Sequence, residues 1–168
     1  MFRDGYFASD AAKNLSAAMP STSRYIHMGF DGYPYAGDPK RSGFERGVLR
    51  LLRFLLPPVK DNFKSADHLY KNVKAKDWVV VRPGDLYDKD EADVYGANAK
   101  TDDYEVHDHT FGDLFGELSA SRADTARFMV KLATMNAKDF KATYNHTMPV
   151  IYDAGAKKSK PEEQEKAF

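Results

Sequence analysis

Lys76-Asp77-Trp78-Val79-Val80-Val81-Arg82-Pro83-Gly84-Asp85-Leu86 is the stretch that decides the fold of this chain. Residues 78–81 are an unbroken apolar run, rich in β-branched side chains and closed by Pro-Gly. That is the pattern of a short strand buried on both faces inside a parallel sheet. In open α/β sheets, ligands sit beyond the carboxyl ends of the strands. At that end stand a fixed cation, Arg82, a stiff Pro83 and then Gly84, whose missing side chain lets another group approach closely.

The flanking sequence supplies helices and strands for this centre. Residues 9–19 read as a helix capped by Ser9 or Asp10, with Leu15, Ala18 and Met19 on one side and Pro20 as its stop. Residues 23–28 read as a strand, and 29–39, punctuated by Gly and Pro, as a loop at its carboxyl end, where sites are built. Its aromatics, Phe30 to Tyr35, are a candidate contact surface. In 45–56, Val48, Leu51, Leu52 and Leu55 follow helical spacing, while Arg46, Arg50 and Arg53 fall on the other side. The expectation is an amphipathic helix laying its leucines on the sheet; the alternative is contact of Arg46, Arg50 and Arg53 with an anionic membrane or a partner helix. Pro57-Pro58 is read as its end.

Residues 59–73 place Val59, Phe63, Ala66, Tyr70 and Val73 on one helical face. Beyond the central strand, acidic residues 88–105 read as an excursion with little core, and 107–118 as a weak strand. Residues 121–136 form a helix with the stripe Ala126, Met129, Val130 and Ala133, started by Ser121 and Asp124 in a capping-box arrangement. Alternation over 142–151 predicts a final strand, and the Lys/Glu-rich residues 154–168 a tail that is disordered or ordered by a partner. The organised domain is thus expected over 1–153.

Lys plus Arg number 25 and Asp plus Glu 25, so no global field draws the protein to nucleic acid, and none is expected as a partner. There is no cysteine. That excludes a disulfide framework, a zinc–cysteine site and a thiol nucleophile, and fits a reducing compartment. No apolar run approaches the roughly 20 residues of a membrane-spanning helix. His107-Asp108-His109, with Asp102, Asp103 and Glu105 upstream, offers imidazoles but no third ligand placed by the fold, so no metal is expected. The acidic run 88–93 lacks the turn glycine of a calcium loop, and Ala92 cannot ligate.

The motif order resembles the atypical short-chain dehydrogenase/reductase family, the NmrA-like proteins with an NAD(P)H-binding Rossmann fold. Asp77-Trp78-Val79-Val80-Val81-Arg82-Pro83-Gly84 is similar to the family's Asp-Trp, apolar run and Arg-Pro-Gly, and Ser121-Arg122-Ala123-Asp124-Thr125-Ala126 to its Ser-Arg-x-Asp-x-Ala helix start. The resemblance covers roughly residues 9–152 and corresponds to the second half of the family's domain. It implies an α/β fold that is partial Rossmann-like: the C-terminal half of a doubly wound parallel sheet with flanking helices and an open sheet edge. It also implies cofactor-side positions at Lys64, Arg82, Pro83 and Gly84. There is no Gly-x-Gly-x-x-Gly after a strand near the amino terminus, so no cofactor is expected in this chain alone, and NAD(P) only with an N-terminal half.

The wider family moves protons with a Ser at a strand end and a Tyr-x-x-x-Lys on the next helix; the Lys lowers the Tyr pKa and holds the nicotinamide ribose. Here the strand end is His27-Met28-Gly29-Phe30 and the helix segment Lys60-Asp61-Asn62-Phe63-Lys64. The lysine position survives as Lys64; the tyrosine position is Lys60, and Tyr70 lies too far along to replace it. Two readings follow. One is a non-catalytic accessory or structural subunit, or assembly factor, of a larger complex whose protein partners cover the sheet edge. Such family members occur in respiratory and photosynthetic complexes, which points to a mitochondrion or chloroplast. The other is the C-terminal part of an NAD(P)H-dependent reductase or epimerase.

Overall fold

The computed structural model describes residues 7–89, 103–112 and 118–155. Strand β2, Asp77–Pro83, is its axis, buried from Trp78 onward. Strand β1, Arg24–Met28, pairs with it in parallel, Ile26 opposite Val79. On the other side β6, Val150–Asp153, also runs parallel, Arg82 opposite Val150. The sheet is completed by β4, Tyr104–His107, antiparallel to β6, in the order β1-β2-β6-β4. A separate parallel pair joins β3, Asp85–Tyr87, to β5, Ser119–Ser121.

Among the described residues there are five helices, α1 (Phe7–Ala18), α2 (Gly43–Leu55), α3 (Pro57–Asn72), α4 (Arg122–Thr134) and α5 (Ala137–Thr143); α3 packs on one face of the sheet, α4 and α5 on the other, and α1 and α2 against α3. Trp78 and Val80 pack with Phe63, Ala66, Leu69 and Val73 beneath α3, together with Tyr33 and Met148. Val79 and Val81 point the opposite way, into Phe128, Leu132, Phe140 and Ile151. This two-sided burial is why the run at 78–81 has no polar residue: every position of the strand meets a helix layer.

The termini of the helices follow local chemistry in most places. Ser42 and Glu45 form a reciprocal capping box that starts α2. Pro57 and Pro58 open α3, where a missing N–H costs nothing. Ser121 caps α4, with its Oγ accepting from the Asp124 amide. Helix α1 is different, because the groups that cap it come from other elements. The Asp61 carboxylate of α3 accepts from the Ala8 and Ser9 amides at 2.6 and 3.0 Å. At the other end Lys76 Nζ donates to the carbonyls of Ser16, Ala17 and Met19 at 2.6, 2.9 and 2.7 Å.

Five sequence expectations are corrected. In α4 the core face is Phe128 and Leu132, not the expected stripe, in which Ala126, Val130 and Ala133 are exposed. Alternation at 142–151 does not make a strand throughout: residues 137–143 are helix α5, started by Asn136 Oδ1 accepting from Asp139 and anchored by fully buried Phe140, and the strand begins only at Val150. Of the strand expected at 107–118, residues 113–117 lie outside the described residues; the described strand is Tyr104–His107, where Val106 faces Ile151 of β6. Helix α1 buries Ser9, Ala12 and Ser16 instead of Leu15, which is 53% exposed, because small side chains let it close on α3.

The largest correction concerns α2. Its leucines were expected on the sheet, yet only Leu49 is buried among them, and Phe44, Leu51, Phe54 and Leu55 stand 51–83% exposed. The helix lies against α3 at one edge, so its broad apolar stripe is left facing outward. The tail at 156–168 and most of the excursion expected at 88–105, including the acidic run from residue 90, lie outside the described residues.

Candidate functional site

At the carboxyl ends of β1, β2 and β6 the loop after β1 folds back over the sheet, with the Asp31 amide donating to the Pro83 carbonyl at 3.1 Å. Beneath it lies Arg82, wholly buried. Its guanidinium grips Asp38 through two parallel contacts, Nη1 to Oδ2 at 2.6 Å and Nη2 to Oδ1 at 3.0 Å. Nε donates to the Met148 carbonyl at 2.7 Å and Nη1 to that of Tyr33 at 2.9 Å. Asp38 also accepts the amides of Tyr35 and Thr110, so one carboxylate ties the loop to β2 and to the segment after β4.

Beside this pair is a second polar cluster that sequence reasoning did not find. Tyr152 Oη on β6 lies 2.9 Å from Thr110 Oγ1 and donates to Asp31 Oδ2 at 3.1 Å. Arg41 Nη2 donates to the Asp31 carbonyl at 2.9 Å and reaches Thr110 Oγ1 at 3.5 Å. Burial raises the Asp31 pKa to about 6, outweighing the pull of Arg41 and Tyr152 in the other direction. Burial and the adjacent Asp31 push the Tyr152 phenol well above its ordinary value. The carboxyl can therefore exchange a proton near neutral pH, whereas the phenol stays protonated. In the sequence, a lone aspartate in a Gly-flanked loop after a strand was the available signal for Asp31; nothing local marked Thr110 or Tyr152.

Asp31 carries a pH prediction. Since its folded pKa lies above the unfolded value, its favourable contribution is complete below about pH 4 and is lost as the pH rises through about 6. Above that, the ionised and partly exposed carboxylate costs about 1–2 kcal/mol. Asp31→Asn is expected to be more stable than the wild type by this amount at pH 7 and equal to it at pH 4, in paired urea titrations. An equal offset at both pH values would contradict the assignment.

The four residues singled out from the sequence are not equivalent. Lys64 sits on the exposed side of α3, close enough to help hold the Asp61 carboxylate ionised. Arg82, Pro83 and Gly84 are buried. A side chain on Gly84 would collide with the Leu118 carbonyl and touch Tyr152, so the close approach made possible there is by another strand of the same chain. Gly84→Ala would force β3 from β5 and break the Asp85-to-Leu118 hydrogen bond of 2.9 Å. The expected loss is about 2–3 kcal/mol, read from the denaturation midpoint. Within this set the Lys64 side chain lies on an exposed helix position, while the Arg82 guanidinium and the space at Gly84 are engaged within the chain.

Other titratable groups near this end of the sheet are hydrogen-bonded within the chain. His27, at the end of β1, shares a 2.7 Å hydrogen bond with fully buried Ser65 on α3. Burial lowers its pKa to about 4, against the opposing pull of Asp61, so it is neutral at pH 7. Tyr33 Oη donates to Asp67 at 2.6 Å and Tyr35 Oη to the His146 carbonyl at 3.3 Å, and burial raises both pKa values. A proton-donating tyrosine needs the reverse shift. Among the described residues no group of three His, Asp or Glu is placed to hold a metal ion. Asp124 is buried and ligated by Lys89 at 2.6 Å and Arg127 at 2.7 Å, which lowers its pKa despite burial.

The sequence matches no protein-family model and no curated protein. Solved structures do match. A short-chain dehydrogenase/reductase from Veillonella parvula, in complex with NADP, superposes with a TM-score of 0.54 at 18% identity, over 92% of this chain and 60% of its own. A protein assigned as an NAD-dependent epimerase/dehydratase from Bacillus halodurans gives 0.54 at 14% identity, over 98% and 60%. One assigned as an NADH-flavin reductase from Streptococcus pneumoniae gives 0.53 at 14%, over 91% and 68%. The chain has the Rossmann-like fold of the short-chain dehydrogenases/reductases. It spans about 60% of the length of the first two of these proteins. Within that Rossmann-like fold, Asp31, Arg41, Thr110 and Tyr152 gather at the carboxyl end of the sheet, where such folds bind ligands.

Proposed function

We propose that this chain is a non-catalytic accessory or structural subunit, or assembly factor, of a larger complex. The observation that carries this reading is the replacement of the proton-handling groups: Lys60 occupies the tyrosine position, and His27, neutral and bonded to buried Ser65, the end of the preceding strand. Two surfaces suit partners. Strand β1 ends the four-stranded sheet, with its outer edge unpaired among the described residues. Helix α2 presents its apolar stripe beside Arg46, Arg50 and Arg53.

The alternative is the C-terminal part of an NAD(P)H-dependent reductase or epimerase, favoured by the 60% coverage of the dehydrogenase from Veillonella parvula. Titration calorimetry with NADPH and NADH is decisive in one direction, because neither reading expects the chain alone to bind the cofactor without an N-terminal half. The purified chain is expected to give no saturable heat and to leave the reduced cofactors unconsumed in the presence of carbonyl substrates. Saturable binding with turnover would replace the accessory reading with the enzymatic one.

A further inference from the structure

Between the loop after β1 and the inner side of α2 lies a pocket of about 480 Å³. Five cationic side chains line it, Lys40, Arg41, Arg46, Arg50 and Arg53, against one carboxylate, Asp38. That carboxylate is already neutralised by buried Arg82. Lys40, Arg46 and Arg50 make no ion pair with a described residue. In a chain whose charges balance overall, this is a strongly one-signed wall.

The arginines are placed, not scattered. Arg46, Arg50 and Arg53 recur at helical spacing along α2, and the Arg53 guanidinium stacks on the Phe63 ring at 4.2 Å, which fixes its plane. Arg41 supplies a second, independent sign of a ligand. One of its terminal nitrogens, Nη1, is buried and has no hydrogen-bond partner among the described residues, while Nη2 is held by the Asp31 carbonyl. A buried charged donor left unpaired is costly, and an anionic oxygen in the pocket would relieve it. Leu49, Tyr35 and Phe63 give the same pocket an apolar wall.

We infer that this pocket binds a phosphate group attached to an apolar or aromatic body. Several forked guanidiniums converging on one space suit an anion with more than one charge and several acceptor oxygens. The group would come from a soluble organic phosphate or from an anionic phospholipid headgroup, the second bringing the exposed apolar residues of α2 onto the bilayer.

Pyrophosphate titrated into the full chain by calorimetry at low ionic strength tests the soluble source, and co-sedimentation with phosphatidylcholine vesicles containing phosphatidylglycerol tests the lipid. Arg46→Glu combined with Arg50→Glu, both on exposed helix positions, is expected to weaken binding at least tenfold in one arm or the other. Lys13→Glu, on the remote helix α1, is expected to leave it unchanged. Circular dichroism melting confirms that each variant is folded. Pyrophosphate binding lost in the double variant assigns a soluble ligand; vesicle binding lost without any pyrophosphate binding assigns a lipid. No binding in either arm, equal binding by the double variant, or an equal loss in Lys13→Glu overturns the proposal.

Discussion

Asp38→Ala is expected to lower the unfolding free energy by about 3–5 kcal/mol, because it strands a fully buried guanidinium. Arg82 keeps two carbonyl acceptors but loses both carboxylate oxygens, and the Tyr35 and Thr110 amides lose their acceptor as well. In a domain whose total stability is about 5–15 kcal/mol, that is a large share. The companion is Arg82→Met, alone and combined with Asp38→Ala. Removing both charges is expected to cost less than the sum of the single changes, since the penalty lies mainly in the partner left behind. Urea titrations of the four proteins give the coupling directly. A loss below about 1 kcal/mol for Asp38→Ala would mean that water reaches the guanidinium and the pair is only a surface contact.

Trp78→Ala is the second large effect, about 3–5 kcal/mol. The indole is 1% exposed, lies within the cluster beneath α3, and stands 5.2 Å from the His146 ring. Its Nε1–H also donates to the Val73 carbonyl at 2.7 Å, satisfying the C-cap residue of α3. Trp78→Phe separates the contributions: it preserves most of the apolar volume but leaves that carbonyl unpaired, at a cost of about 1–3 kcal/mol. Should Phe cost as much as Ala, the hydrogen bond and not the packing would dominate.

How far the sequence could be read depends on how local the deciding contacts are. Strand β2 was legible because an all-apolar run with no alternation demands cover on both faces, and α3 because Phe63, Ala66 and Val73 keep helical spacing. The direction of α2 was not legible. Its stripe is as apolar as that of a core helix, and only tertiary placement decides that Leu51 and Leu55 face outward. Helix α5 was missed because it is a short segment held by one buried ring, Phe140, beside residues that mimic alternation. For the site, the sequence marked Arg82 as significant but could not name its partner, since Asp38 lies 44 residues away. Thr110 and Tyr152 come together from segments 42 residues apart, and no spacing rule connects them.

Helix α1 depends on Asp61 at its start and on Lys76 at its finish. An excised peptide of this length would lack both anchors and would not hold its shape. The segment therefore adopts its form only once α3 and β2 exist, which places it after them in folding. Amide exchange along residues 7–18 is then expected to be faster than along the buried central strand.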